Sequence, residues 1–339
     1  MARTREALDY TLLARLTQTF GPSGSEEQVA ELIAQSVRPY CDEVRTDTLG
    51  NLIAIKRGST KRIMIAAHMD EIGLMVTHID EQGFLRFTTV GAVTVSHLPY
   101  KRIQFQNGQV GVIGVEKLDK PGDFKVEKLF IDIGAKNRAE ATEMVGIGQM
   151  AVFTGDFVEY GARIMAKAMD NRIGCFVAIE ALKRTKSNHE LAFVFTVQEE
   201  VGLRGAQTAA YAIDPDLGLA VDVTSTGDTP KAHHMDVKLG AGAAIKVLDR
   251  SLVTLPYIKK WMAEVAVEND IPFQWEVLEF GGSDSGAIQL TKGGIPAGVI
   301  SIPTRYVHSP GEMVDKEDVT AAIDLLSALL EKPVDTEVL

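Results

Sequence analysis

The sequence predicts an α/β protein: a mostly parallel sheet flanked by helices, with a β-barrel-like segment inserted into it. Three observations lead there. First, "RIMIAA" (62–67), "LAFVFTV" (191–197) and "LGLAV" (217–221) are short, nearly uncharged apolar runs, the pattern of strands buried on both faces. Second, segments with helical spacing alternate with these runs, and strands alternating with helices imply a sheet covered on both sides. Third, between 71 and 161 the texture changes to short alternating strands punctuated by Gly and Pro, as in "GFLRFTTVGAVTVSHLPYKRIQFQNGQVGVIGV". The expected organisation is a catalytic α/β domain over 1–70 and 162–339, interrupted by a β-rich dimerisation or assembly domain over 71–161. A chain of 339 residues is long enough for two such units.

Taken in order, residues 7–20 carry Leu8, Leu12, Leu13, Leu16 and Phe20 at helical spacing. "GPSGSEEQ" breaks the chain, and Ser25 with Gln28 fits a capping box for a second helix bearing Val29, Leu32, Ile33 and Val37. Two short strands follow around Leu49-Gly50-Asn51, then the buried strand at 62–67. One helix, at 134–146, interrupts the β-rich segment. Beyond it a helix is expected at 171–184, and strands at 191–198, 217–223, 243–248, 274–279 and 297–302. A terminal helix at 316–331 has Val319, Ile323, Leu326 and Leu330 on one face.

The net charge of −11, from 46 acidic and 35 basic residues, argues against a nucleic-acid-binding surface. No apolar run approaches the ~18 residues needed to cross a membrane. The N-terminal stretch, with Asp9 and scattered charges, reads as an amphipathic helix and not as a signal peptide. Cys41 and Cys175 are too few for a disulfide framework, so a reducing, cytoplasmic setting is expected.

The residues that carry chemistry share one address, at or just after the ends of expected strands, where open α/β sheets bind ligands. "IAAHMDEIG" places His68 at a strand end with Asp70 two residues on, a carboxylate placed to hold the imidazole of a metal-ligating histidine. "AKAMDNRIG" places Asp170 at a helix start, where it would also serve as an N-cap. "TVQEEVGLRGA" sets Glu199 and Glu200 side by side, "GLAVDVTSTGD" ends a strand in Asp222, and "VISIPTRYVHSP" ends one near His308. Each alone has an ordinary structural explanation. Together, two imidazoles and a set of carboxylates at one sheet edge form a ligand set for hard or borderline divalent cations. One carboxylate can bridge two ions ~3.5–4 Å apart, and of two adjacent glutamates one can bind an ion while the other acts as a general base. No CxxC, Walker loop or GxGxxG follows a strand. "GGSDSG" (281–286) is not GxSxG and reads as a close backbone approach to a ligand.

"AAHMDEIG", "AMDNRIG", "VQEEVGLRGA", "VDVT" and "ISIPTRYVHSPGEMVD", in that order, closely resemble the TET-type (tetrahedral) metalloaminopeptidases, which include glutamyl, leucyl, lysyl and deblocking enzymes and some members labelled endoglucanases. The resemblance covers nearly the whole chain, and the β-rich insertion falls between the first two ligand segments as in that family. It implies two divalent ions per subunit, zinc or cobalt. His68, Asp170 and Asp222 would hold one, and Asp170, Glu200 and His308 the other, with Asp170 bridging. Glu199 would be the general base and Asp70 would orient His68. It further implies release of N-terminal residues from short peptides, and dimers that assemble through the insertion into a tetrahedral dodecamer.

The first specificity pocket is expected on the loops after Asp222 and around Gly281–Gly286, with Gly282 and Ser283 against the substrate, and with a leaning towards neutral, leucine-type residues. Lys231, His233 and His234 are further candidate readers of substrate charge. The rival reading is an endoglucanase-like glycosidase using the Glu199–Glu200 pair. It leaves His68 and His308 without a role, and only Trp261 and Trp275 are available as tryptophan platforms for sugars.

Overall fold

The computed structural model describes residues 8–332 apart from 119, 121 and 123. Two helices open it, α1 (Thr11–Gln18) and α2 (Glu27–Val37); the expected helix start at residue 7 lies outside the described residues. The capping box expected from Ser25 and Gln28 does not form. Glu26 takes the N-cap position with no side-chain cap bond. Its Oε1 accepts instead from the amides of Gly24 (2.7 Å) and Gln198 (3.1 Å), which ties the helix start to the turn carrying Glu199.

Strands β1 (Glu43–Thr46), β2 (Leu52–Lys56) and β3 (Arg62–His68) lead into a closed barrel of six. The barrel strands are β4 (Gly73–Ile79), β5 (Leu85–Val90), β6 (Arg102–Phe105), β7 (Val110–Val115), β8 (Leu129–Asp132) and β9 (Met150–Phe153), with helix α3 (Arg138–Met144) packed beside them. Alternate residues point inward, so Leu74, Val76, Leu85, Phe87, Ile103, Phe105, Ile113 and Ile131 build a separate core. The barrel closes at β9: β10 (Val158–Tyr160) and β11 (Arg163–Ala166) already belong to the large sheet, short of the expected boundary at 161.

The second part of the large sheet comprises β12 (Glu190–Thr196), β13 (Leu217–Thr224), β14 (Ala243–Leu248), β15 (Phe273–Val277), β16 (Ala297–Arg305) and β17 (Glu312–Asp315). Strand order is β1-β2-β12-β3-β13-β16-β17-β11-β10, with β14 and β15 branching from β16. The four central strands, β12, β3, β13 and β16, run parallel, as their uninterrupted apolar runs require. The flanks run antiparallel, because β1–β2 and β10–β11 are hairpins with short connections.

Helices α4 (Met169–Arg184), α5 (Arg204–Ile213), α6 (Pro256–Glu268), α7 (Asp284–Gln289) and α8 (Lys316–Glu331) cover the sheet. Period-two alternation divides the central strands between two cores. Ile63, Ile65 and Ala67 face α1, α2, α4, α6 and α8, while Met64 and Ala66 face α5 and α7. Burial of each Leu, Ile or Val here contributes about 1.5–3 kcal/mol. Across the first core runs Arg172, fully buried. It donates to the carbonyls of Leu16, Thr19, Gly21 and Met69 and to Glu71, and so pins the chain just after His68 to α1 and the turn that follows it. Parallel register sets His68 opposite Thr196, and Asp222 two residues beyond the Ala220–Ala66 pair. The carboxyl ends of three strands therefore meet at one edge.

Candidate active site

His68 ends β3 and is 2% exposed. Its Nδ1 lies 3.2 Å from the Asp70 carbonyl oxygen and 3.4 Å from Asp70 Oδ1. A carbonyl only accepts, so Nδ1 carries a proton, and Nε2 faces the neighbouring carboxylates. Asp70 is itself buried and accepts from Ser23 Oγ (2.6 Å), Glu199 N (3.0 Å) and Glu200 N (3.2 Å). Burial opposes its ionisation, but His68 and these donors outweigh burial and hold the carboxyl below its ordinary value. Asp70 thus touches His68 and also fixes the turn that bears both glutamates.

That turn explains the glycine two residues after the acids. Gly202 donates to the Glu199 carbonyl and has φ +123°, a region that side-chain-bearing residues rarely adopt. Asp170 does not cap its helix. The backbone departs from helical geometry at Asp170 and Asn171, and Asn171 Oδ1 takes the cap by accepting from Gly174 N (3.0 Å). The Asp170 carboxylate is left free to face the site. Asp222, near the end of β13, accepts its own neighbour's amide, Val223 N, at 2.8 Å. His308 follows β16 in the left-handed region (φ +61°) and donates Nδ1–H to the Ala92 carbonyl (3.0 Å), which the barrel side supplies. Its Nε2 also faces inward.

Two groups result: His68, Glu199 and Asp222, and Asp170, Glu200 and His308, each with ligand atoms within 4.8 Å of one another. Asp170 links them, with Oδ1 3.0 Å from His68 Nε2 and Oδ2 3.1 Å from His308 Nε2. Around this axis Asp222 Oδ1 lies 3.6 Å and Glu199 Oε2 3.8 Å from His68 Nε2, and Glu200 Oε1 lies 3.2 Å from His308 Nε2.

Four carboxylates packed in a buried site repel one another. Burial, then neighbouring acids, raise Glu199 well above its ordinary value against the pull of His68. Glu200 and Asp222 are raised by burial as well. Burial alone would lower the two imidazoles, but the surrounding acids overcome it, lifting His68 well above the ordinary histidine value and His308 to about 12. Asp170 goes the other way: its two histidines override burial and hold it low. Asp170 Oδ1 and Glu200 Oε1, although buried, accept no hydrogen bond. Imidazole nitrogens facing carboxylate oxygens need a positive charge between them, a proton when no ion is bound or a divalent ion in its place, so the donor set fits two divalent ions.

The residues expected against the substrate immediately precede α7, whose Asp284 accepts from Thr196, the ladder partner of His68. Ser283 is fully buried and donates its hydroxyl to Asp249 Oδ2 (2.8 Å), and Gly282 is exposed; neither belongs to a ligand group. The tight glycine approach at 286 is to Ser251, whose Oγ would lie 2.4 Å from an added Cβ. His233 stacks on Phe280 at 5.0 Å between ring centres, so the two loops expected to line a pocket do meet.

Two acids escaped the sequence reading. Asp284, pushed by burial up to about 7, accepts from Thr196 Oγ1 (2.5 Å). Glu312 accepts from Asp170 N (3.0 Å) and His308 N (2.7 Å). Its only signal was its place four residues after His308.

Residues 50–325 match the family model described as M42 glutamyl aminopeptidase. The chain belongs to that family. It is a peptide hydrolase of the metal-dependent aminopeptidase type. It is 53% identical to an Acetivibrio thermocellus protein provisionally named an aminopeptidase, covering 94% of this chain and 97% of the relative. It is 36% identical to the lysyl aminopeptidase of Pyrococcus furiosus, covering 97% and 99%. Among solved structures, aminopeptidase APDkam598 from the archaeon Desulfurococcus kamchatkensis superposes with TM-score 0.91 at 39% identity, covering 95% and 94%. The Pyrococcus horikoshii TET1 peptidase, described as able to assemble into a tetrahedron or a large octahedral shell, gives TM-score 0.85 at 32% identity, covering 95% and 99%. Among the described residues no helix is long and apolar enough to cross a membrane.

Proposed function

We propose that the enzyme releases N-terminal residues one at a time from short peptides, with two divalent ions held by His68, Asp170 and Asp222 and by Asp170, Glu200 and His308. The observation that carries this reading is Asp170, whose two oxygens lie 3.0 and 3.1 Å from the two inward-facing imidazoles. Bound there, the ions supply Lewis-acid polarisation of the peptide carbonyl and lower the pKa of the attacking water. Zinc or cobalt suits the mixed nitrogen and oxygen donors.

Glu199 is the general base. Its Oε2 lies 3.8 Å from His68 Nε2, beside the first ion's ligands, where the carboxylate can take a proton from the water as the oxygen–carbon bond forms. It then returns that proton to the amine nitrogen as the carbon–nitrogen bond breaks. Asp70 acts through others: it holds the His68 tautomer and, through the Glu199 and Glu200 amides, the position of the base. The substrate's free α-amine lies at the Glu200 and His308 end, which limits cleavage to one residue. Neutral, leucine-type side chains are the preferred class. The barrel serves dimer formation, dimers close into a tetrahedral dodecamer, and the enzyme works in the cytoplasm; the tetrahedron formed by the TET1 relative supports the assembly.

The glycosidase alternative is not favoured. A sugar-cleaving pair must flank one bond, whereas Glu199 and Glu200 each face a different imidazole. Turnover of an aminoacyl-p-nitroanilide panel, measured before chelation, after it, and after adding zinc or cobalt, tests the reading. Activity should vanish and return with metal; no turnover of any free-amine substrate with two ions bound would refute it.

A further inference from the structure

We propose that Glu312 is a positioning residue that fixes the shared aspartate and the second histidine relative to one another, and so sets the affinity of the Asp170–Glu200–His308 group for its ion. The proposal rests on the two-ion reading above. Glu312 is 2% exposed and opens β17, where its backbone is locked against Ala166 of β11. From that fixed point one carboxylate reaches two distant segments: Oε2 accepts from Asp170 N at 3.0 Å and Oε1 from His308 N at 2.7 Å.

Neither amide has another place to go. Asp170 lies at the non-helical start of α4, and His308 sits in the left-handed region beyond the ladder of β16. Without Glu312 the Asp170 amide would be buried unpaired and the part-buried His308 amide would lose its partner. The third ligand of the group follows the same rule, since the Glu200 amide donates to Asp70. Every ligand of this group therefore has its backbone amide on a carboxylate that binds no ion itself. His68, by contrast, is placed by its strand, opposite Thr196 in the ladder. The second group lacks strand support, and the Glu312 clamp replaces it.

The test is calorimetric titration of the metal-stripped protein with cobalt(II), with the cobalt visible absorption as a geometry readout, on the wild type, Glu312→Gln and Glu312→Asp. Gln keeps the volume but offers one acceptor oxygen; Asp keeps the charge and both oxygens but shortens the reach. The wild type should take two ions. Both variants should bind the second ion about 10–100-fold more weakly, as expected for a lost supporting contact, with a smaller change at the His68 group. The rise in Tm on cobalt addition should shrink in both, while the metal-free Tm moves less. Unchanged second-ion binding in both variants would overturn the proposal. So would a wild-type Glu312→Asp beside a weakened Glu312→Gln, because charge and not position would then be responsible. Fewer than two ions on the wild type would overturn the two-ion reading itself.

Discussion

The two ligand groups are built by different means. His68 and Asp222 stand at the ends of adjacent parallel strands, held by ladder hydrogen bonds and a packed core on both faces. Asp170, Glu200 and His308 come from a kinked helix start, a turn and a loop, and they depend on contacts from elsewhere: Glu312, Asp70 and the Ala92 carbonyl beside the barrel. The two histidines also differ in exposure, with the His68 side chain 3% exposed and that of His308 24%. Sheet-built geometry is fixed before any ligand arrives, and loop-built geometry must be held by specific hydrogen bonds.

The largest effect should come from the residue that belongs to both halves. Asp170→Asn should lower kcat/KM by at least about 10³-fold, because residues that act as a unit fail together. Elemental analysis should find fewer than two ions per chain. Retention of both would detach Asp170 from its bridging place.

Next, the halves should separate under matched substitutions. His68→Ala leaves buried carboxylates without their partner and should cost about 2–4 kcal/mol in metal-free denaturant unfolding. His308→Ala, at the partly exposed edge, should destabilise the metal-free protein less than His68→Ala does while removing the second ion. Equal destabilisation would erase the distinction.

Proton competition sharpens the comparison. His308 is held up at about 12, so in metal-free protein it carries a proton at neutral pH. Its contribution to metal-free stability is fully present below the ordinary histidine value and is lost as pH rises towards 12. An ion entering its group must displace that proton, so second-ion affinity should rise by about tenfold per pH unit above neutrality and fall correspondingly below it. Calorimetry in buffers of different ionisation enthalpy counts the released protons; none released would contradict the shift.

The smallest effect concerns the barrel side. At Gly91, φ is +80° and an added Cβ would stand 2.8 Å from Ile72 Cγ2 and 3.2 Å from Glu200 Cβ and Oε2. Gly91→Ala should cost about 1–2 kcal/mol for the left-handed backbone and weaken the second ion only.

What the sequence made legible follows the same line. The strands ending at His68 and Asp222 could be read because apolar runs mark buried strands, and the acid after such a run stands out. The parallel centre followed from those runs, whereas the antiparallel flanks needed the hairpin connections to be seen. Asp170 looked like a helix cap because it begins a helix, and only the kink passes that task to Asn171. Ser25 fitted a capping box on spacing alone, but Glu26 is drawn to the Gln198 amide, a contact no local pattern encodes. Glu312 and Asp284 act on segments far away in the chain, so no periodicity marks them. The hydroxyl of Ser283, expected at the substrate, donates to Asp249, a contact no local pattern encodes. Short-range order is written in the pattern of residues, and the supports of the loop-built group are written only in three dimensions.

The division of labour between the adjacent glutamates is the centre of this account, and Glu199→Gln tests it most directly. Metal content by elemental analysis and kcat on a leucyl-p-nitroanilide should be measured on the same preparation. The account predicts two ions per chain, as in the wild type, with kcat lowered by about 10²–10⁴-fold. Near wild-type turnover with both ions bound would contradict it.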